Sequence, residues 1–269
     1  MELLSIFQYT FIQKAFIAGA FTAMLCAALG MFLVLRKMSL IGDGLSHISF
    51  GAVAIGLLFG IYPLYAAIPV AILGVYFINY LAGKTKLYGD AAIGIVSSVG
   101  IASGVIIASL ANGFNVDLFS YLFGSILAIS TLEAGLAVIL SVIVLAVVFL
   151  FYNDLFSATY EEEFAKISGI KVGRINAILL SLTAISVVLA VKVVGVMLVS
   201  ALLVLPSVTA LQLGKSFRFS LFLSVVVAVL SVFVGITISF FLDLPSGATV
   251  VMVLFTIFLL SLLKKKLIK

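Results

Sequence analysis

Asp43 and His47, the only histidine of the chain, stand four residues apart in the glycine-rich apolar stretch 39–56. On a helix, positions i and i+4 share a face with Cβ atoms about 6 Å apart. A carboxylate and an imidazole so placed can hold one metal ion. An ionisable pair in a membrane-like segment is a candidate functional site by default, because a mid-bilayer carboxylate costs about 2.5–3.5 kcal/mol on insertion scales. If Ser39 caps the helix, Asp43 lies one turn in and His47 two turns in. Gly42, Gly44 and Gly51 beside them permit close helix approach. A helix start is a positive end that repels cations, so Asp43 must be ionised to offset it, and a second anionic ligand helps. The bland alternative is that Asp43 caps a helix beside Gly42 while His47 is a hydrogen-bonded core histidine.

The donor set points to a transition-metal dication, since calcium and magnesium prefer oxygen-only shells. Copper(I) calls for cysteine or clustered methionine, and Cys26 is a lone mid-span residue read as packing. Two symmetry-related chains would supply two carboxylates and two imidazoles, which suits tetrahedral zinc and also part of a larger manganese shell. Other polar positions carry less chemistry. Pro206 reads as a kink or local break in an apolar segment and a candidate pathway-lining residue. Asp243, ahead of Leu244, Pro245, Ser246 and Gly247, reads as an external turn residue and a second candidate for the pathway, at its mouth. Glu133 reads as solvated near an external helix end.

The elements that must position the pair are membrane helices. Of 269 residues, 65% are hydrophobic and 9% charged, against about 25% charged in soluble domains, and the mean hydropathy is +1.42. Each crossing needs about 20 apolar residues. Nine segments qualify, near 13–35, 45–60, 63–82, 91–111, 129–151, 174–191, 194–213, 219–241 and 247–263. The second is short and the seventh contains Pro206, so the expectation is an all-α polytopic membrane protein of eight or nine crossings. With alternating segments and a cytoplasmic tail, Arg36, Lys37, Lys84, Lys86, Lys166, Lys171, Arg174, Lys215, Arg218, Lys264, Lys265, Lys266 and Lys269 all fall inside. Only Lys14 and Lys192 fall outside. That asymmetry places the amino terminus outside and the carboxyl terminus in the cytoplasm. Because the basic residues are split among short loops, the net charge of +5 reflects orientation in the membrane, and no nucleic-acid partner is expected. The first dozen residues lack a basic start and a cleavage site, so the first span is expected to direct insertion itself.

The longest polar interruption, 153–173, reads NDLFSATYEEEFAKISGIKVG and falls on the cytoplasmic side of this topology. It is expected to form a short helix and a turn lying across the membrane surface as a docking element. Thr159 is the expected N-cap, Glu161, Glu162 and Glu163 face the positive end of the dipole, and Gly169 takes a left-handed C-cap.

Four stretches carry a family resemblance: RKMSLIGDGLSHISFGAVAIG at 36–56, EEEFAKISGIKVG at 161–173, VVGVMLVSALLVLPSVTA at 193–210 and DLPSGAT at 243–249. Together they resemble the permease subunit of bacterial ABC importers for zinc or manganese, with the SLIGDGLSH stretch the most specific. The resemblance covers essentially residues 1–269 as one transmembrane permease domain of the metal/vitamin B12-like type, in the bacterial cytoplasmic membrane. It implies import of a transition-metal dication handed over by an extracytoplasmic binding protein: zinc first, from the wording of SLIGDGLSHISFGA, with manganese or iron as the alternative. It implies Asp43 and His47 as metal ligands, and Glu163, Ala165 and Gly169 in a coupling helix seated in a cleft of a separate cytoplasmic ATPase. A homodimer follows, since one chain supplies two strong ligands and one coupling loop. The ion is cargo, with no permanently bound cofactor.

The sequence has neither a GxxxxGK[ST] loop nor an HExxH motif, so no ATPase site or zinc-protease site of its own is expected. A secondary transporter using Asp43 and His47 as an ion or proton relay is the rival from another class. It requires inverted repeats, and the halves show none that convince; nor does it account for the polar loop. A membrane enzyme is disfavoured, because one histidine and few intramembrane carboxylates make no catalytic constellation.

Overall fold

The structure is a computed structural model describing residues 9–84, 88–110, 116–124, 129–196, 198–214 and 216–268. Lys86, Lys215 and Lys269, and the first eight residues, lie outside them. The described chain forms twelve helices: α1 Thr10–Leu35, α2 Ile41–Leu58, α3 Pro63–Lys84, α4 Gly89–Leu110, α5 Val116–Phe123, α6 Thr131–Leu150, α7 Tyr152–Tyr160, α8 Glu162–Ile167, α9 Val172–Val194, α10 Val199–Leu213, α11 Phe217–Leu242 and α12 Ser246–Ile268. Eight of them are long and apolar enough to cross a membrane; α10, with 15 residues, falls short. At 1.5 Å per residue it extends about 22 Å. The second expected segment is a full 18-residue helix that starts earlier than its hydropathy indicates. In its first turn Ile41, Gly42 and Gly44 are buried and Asp43 is partly exposed.

Helices that are apolar on all sides belong in an interior. Accordingly α1, α2 and α9 are largely buried, while α3, α6 and α12 present most of their surface outward. Leu73, Phe149, Leu150 and Met252 are among the exposed large side chains, which is the expected surface where the solvent is hydrocarbon. Serine and threonine hydroxyls inside the bundle bond back to carbonyls one turn earlier, as Ser49 to Leu45, Thr183 to Leu179 and Ser231 to Val227. These hydroxyls are thereby satisfied without a partner helix.

Two ends of the bundle are distinguishable. At one, Tyr9 packs near Phe240 and the α9–α10 break is clasped by its neighbours: the Val196 N–H donates to the Tyr121 carbonyl at 3.0 Å. Gly195 there has φ +93, and a Cβ on it would lie 2.5 Å from the backbone of Phe123 and Gly124, so only glycine fits. The chain therefore breaks at the start of the seventh segment, while Pro206 sits buried within a continuous α10. At the other end, Phe217 packs against Phe32, Tyr152, Phe156 and Tyr160, fastening α7 to α1 and α11.

Glu133 departs from its sequence reading. It forms a capping box with Ser130 at the start of α6 and is buried, 3.2 Å from the ammonium of Lys192. Lys192 also lies over the Tyr121 ring, 4.5 Å from its centroid. A buried carboxylate persists only when paired, and the basic partner comes from the far end of α9. Burial, followed by the Glu133 charge, pushes the phenol of Tyr62 up to about 12.

Candidate functional site

Asp43 and His47 project from the first two turns of α2. The N-cap is Leu40 and makes no side-chain capping bond, so Ser39 is not the cap; the Asp43 N–H bonds to the Leu40 carbonyl at 3.1 Å. Asp43 is thus inside the first turn and does not cap the helix either. Its carboxylate stands at the positive end of the helix.

His47 Nε2 lies 3.8 Å from Asp43 Oδ1, with the imidazole 18% and the carboxylate 44% exposed. That separation is too long for a hydrogen bond. Two donor atoms each about 2.1 Å from one ion at a tetrahedral angle stand about 3.4 Å apart, so a shift of about 0.4 Å converts the observed pair into two corners of a metal site. On the opposite side of the ring, His47 Nδ1 meets Ser97 Oγ at 2.5 Å. With the proton on Nδ1 donated to Ser97, the lone pair of Nε2 faces the Asp43 side, the arrangement a metal-binding imidazole needs. Among the described residues no group of three His, Cys, Asp or Glu side chains converges. Among the described residues, Asp43 and His47 are therefore the two candidate ligands at this place.

Ser97 belongs to α4 and reaches His47 because α2 and α4 nearly touch along their backbones. A Cβ on Gly100 would lie 2.7 Å from Ile48 N and 2.8 Å from the His47 carbonyl atoms; one on Gly51 would lie 2.8 Å from the Gly100 carbonyl oxygen. Glycines at such a crossing bring helix axes together. Ser97 was not singled out from the sequence. The only local signal is the small-xxx-small spacing of Gly100 and Gly104, which marks a contact without naming its partner.

The other candidates lie elsewhere. Asp243 caps α11 in the left-handed conformation, at φ +50, and lines a cavity of about 350 Å³ together with Phe11, Ile12, Phe240 and Pro245. It sits at the Tyr9–Phe240 end, whereas α2 begins beside Arg36 at the α7 end. Asp243 thus marks the end of the bundle opposite the start of α2, while Pro206 is buried within α10.

The polar loop forms two helices, broken at Glu161, which is extended at φ −151 and ψ 92. Thr159 is not an N-cap: it lies in the last turn of α7 and donates its hydroxyl hydrogen to the Leu155 carbonyl. The break has an electrostatic reason, since continuing α7 would put Glu161, Glu162 and Glu163 near its negative end, whereas a new helix puts Glu162 and Glu163 at a positive one. Glu162 also pairs with Lys166 one turn on, at 2.7 Å, which raises the Lys166 pKa through that hydrogen bond and charge. Gly169 ends α8 at φ +84, with Ile170 N–H on the Ala165 carbonyl and Gly169 N–H on the Lys166 carbonyl. This is a Schellman termination, as expected of that glycine. Ala165 is fully buried against the bundle, whereas Glu163 and Gly169 are exposed. Phe164 and Ile167, 61% and 86% exposed, face outward as apolar knobs that sequence reasoning had not picked out.

Comparison with known proteins agrees with this architecture. The ABC 3 transport family matches residues 8–265. The chain is 32% identical to the manganese transport system membrane protein MntC of Halalkalibacterium halodurans, over 94% of this chain and 87% of that protein. It is 31% identical to the high-affinity zinc uptake system membrane protein ZnuB of Haemophilus influenzae, over 94% and 97%. In structure it is similar to PsaBC from Streptococcus pneumoniae in complex with Fab, with a TM-score of 0.88, 29% identity and coverage of 96% and 93%.

Proposed function

The chain belongs to the ABC 3 transport family, and from that premise we propose that it is the membrane permease of an ATP-driven importer carrying a transition-metal dication into the cytoplasm. The observation that carries the reading is the Asp43–His47 pair, 3.8 Å apart, with the second imidazole nitrogen held by Ser97. Zinc is the first ion to test and manganese the alternative: similar proteins are named for each, and two copies of the pair suit either shell. ATP hydrolysis belongs to separate cytoplasmic subunits that dock on α8, with Phe164 and Ile167 as apolar contacts beside Glu163 and Gly169. An extracytoplasmic binding protein delivers the ion, and a second copy of the permease completes the ligand set on the dimer axis. The amino terminus is external and the carboxyl terminus cytoplasmic, in keeping with the positive-inside rule.

The test is ATP hydrolysis and uptake by the assembled complex in proteoliposomes, with zinc and with manganese. Stimulation by neither ion ends the reading. Two substitutions sharpen it. Ser97→Ala frees the imidazole to turn, and uptake is expected to weaken about 10- to 100-fold, the range for partners of metal-binding histidines; a wild-type uptake constant for the metal removes Ser97 from the site. Gly169→Val meets no neighbour, since nothing lies within 4 Å of a Cβ there. Its penalty is backbone strain alone, on the order of 1–2 kcal/mol or more for a β-branched residue at positive φ. Affinity for the ATPase is expected to fall about tenfold in a pull-down titration.

A further inference from the structure

We propose that Arg36 is the positioning residue through which movement of α7 and α8 reaches the helix bearing Asp43 and His47. This rests on the reading of α8 as the ATPase contact.

The Arg36 guanidinium sits among three elements. Its Nε donates to Thr159 Oγ1 of α7 at 2.9 Å, and its Nη1 donates to Asn176 Oδ1 of α9. Thr159 has already given its own hydrogen to the Leu155 carbonyl, so its oxygen is fixed as an acceptor. Two residues after Thr159 the chain breaks at Glu161 and enters α8. A displacement of α8 therefore acts on the Arg36 fork almost directly.

From Arg36 to α2 the path is short and stiff. Lys37 takes the left-handed conformation at φ +58, an uncommon one for a residue with a Cβ. The Lys37 N–H bonds to the Val34 carbonyl and the Met38 N–H to the Leu33 carbonyl, and the Ile41 N–H bonds back to Met38. Only residues 36–40 separate α1 from α2. The start of α2 has no side-chain cap of its own, so the turn bearing Arg36 sets where the first turn of α2, with Asp43 in it, comes to lie. Phe32, Tyr152, Phe156 and Phe217 hold α7 to the bundle by non-directional apolar contact; the guanidinium supplies the directional tie. Its planar fork engages two helices at once, which a lysine ammonium on a shorter reach does not reproduce.

The test uses the complete permease–ATPase complex in proteoliposomes, with zinc alone as the transported probe. Two variants are compared with wild type: Arg36→Lys, and Thr159→Val combined with Asn176→Leu, which removes both acceptors and leaves Arg36 in place. In both, assembly and ATP hydrolysis are expected to persist while zinc moved per ATP hydrolysed falls roughly tenfold, within the range of allosteric couplings. A merely structural role lowers assembly and hydrolysis together and leaves that ratio alone. A wild-type ratio in the acceptor variant overturns the proposal, and that variant decides by itself if Arg36→Lys does not assemble. Failure of the wild-type permease to bind the ATPase through α8 removes the docking reading, and the proposal with it. An assembled complex with an unchanged ratio removes only the role of Arg36.

Discussion

Asp43→Asn and His47→Ala permeases are expected to insert, to bind the ATPase and to take up neither zinc nor manganese. Asparagine keeps the shape of aspartate but removes the charge that offsets the positive start of α2, leaving a cation with a repulsive helix end and one neutral ligand. Alanine at position 47 removes the only imidazole in the chain, and no third metal-binding side chain stands by to replace it among the described residues. Each loss is expected to exceed the 10- to 100-fold that outer-shell partners cost, so at least about 100-fold at limiting metal. In the Asp43→Asn variant the folded state changes little, because Asp43 is 44% exposed and its carboxylate lies 3.8 Å from the imidazole, beyond hydrogen-bonding range. Radioactive zinc or manganese uptake at matched membrane expression is the measurement. Wild-type uptake by either variant would falsify the ligand assignment.

Gly100→Ala is expected to come close to these in effect although it touches no ligand side chain. The added methyl would stand 2.8 Å from the His47 carbonyl carbon and oxygen and 2.7 Å from Ile48 N. Backbone cannot swing aside as a flexible side chain can, so α2 and α4 must part by about 0.6 Å or more, with an overpacking cost of about 1–3 kcal/mol. Parting the helices draws Ser97 away from His47 Nδ1 and moves the imidazole relative to Asp43. Uptake is expected to fall at least about tenfold, the low end of what loss of a histidine's partner costs. Gly94→Ala on the same helix is the control: nothing lies within 4 Å of a Cβ there, and alanine favours a helix over glycine by about 1 kcal/mol. That variant is expected to transport normally. Equal uptake by the two glycine variants would show that the α2–α4 approach does not tune the pair.

The membrane architecture was legible because it is written in runs of adjacent residues. Stretches of about 20 apolar residues need no knowledge of the fold. The i, i+4 spacing of Asp43 and His47 is equally local, as is the left-handed end of α8 at Gly169, whose φ of +84 follows from a glycine after a helical run. Misreadings arose where a residue spent its polar group on something distant or already inside a helix. Thr159 looked like a cap and is committed to the Leu155 carbonyl and to Arg36. Ser39 looked like the start of α2, yet the helix begins two residues later.

Composition, periodicity and spacing were by themselves enough to determine a bundle of membrane helices, one ionisable pair on a shared helical face, and one polar interruption between spans. These depend on hydrophobic transfer and on helix geometry, both of which act over a few residues. Only the tertiary structure decided which groups meet across the bundle: Ser97 of α4 on the His47 ring, Lys192 of α9 on Glu133 of α6, and Arg36 between Thr159 and Asn176. Such partners lie dozens to more than a hundred residues apart and are selected by how closely helices approach. That approach is set by glycines such as Gly100, whose lack of a side chain leaves no sign in the sequence of which backbone will come to rest against them.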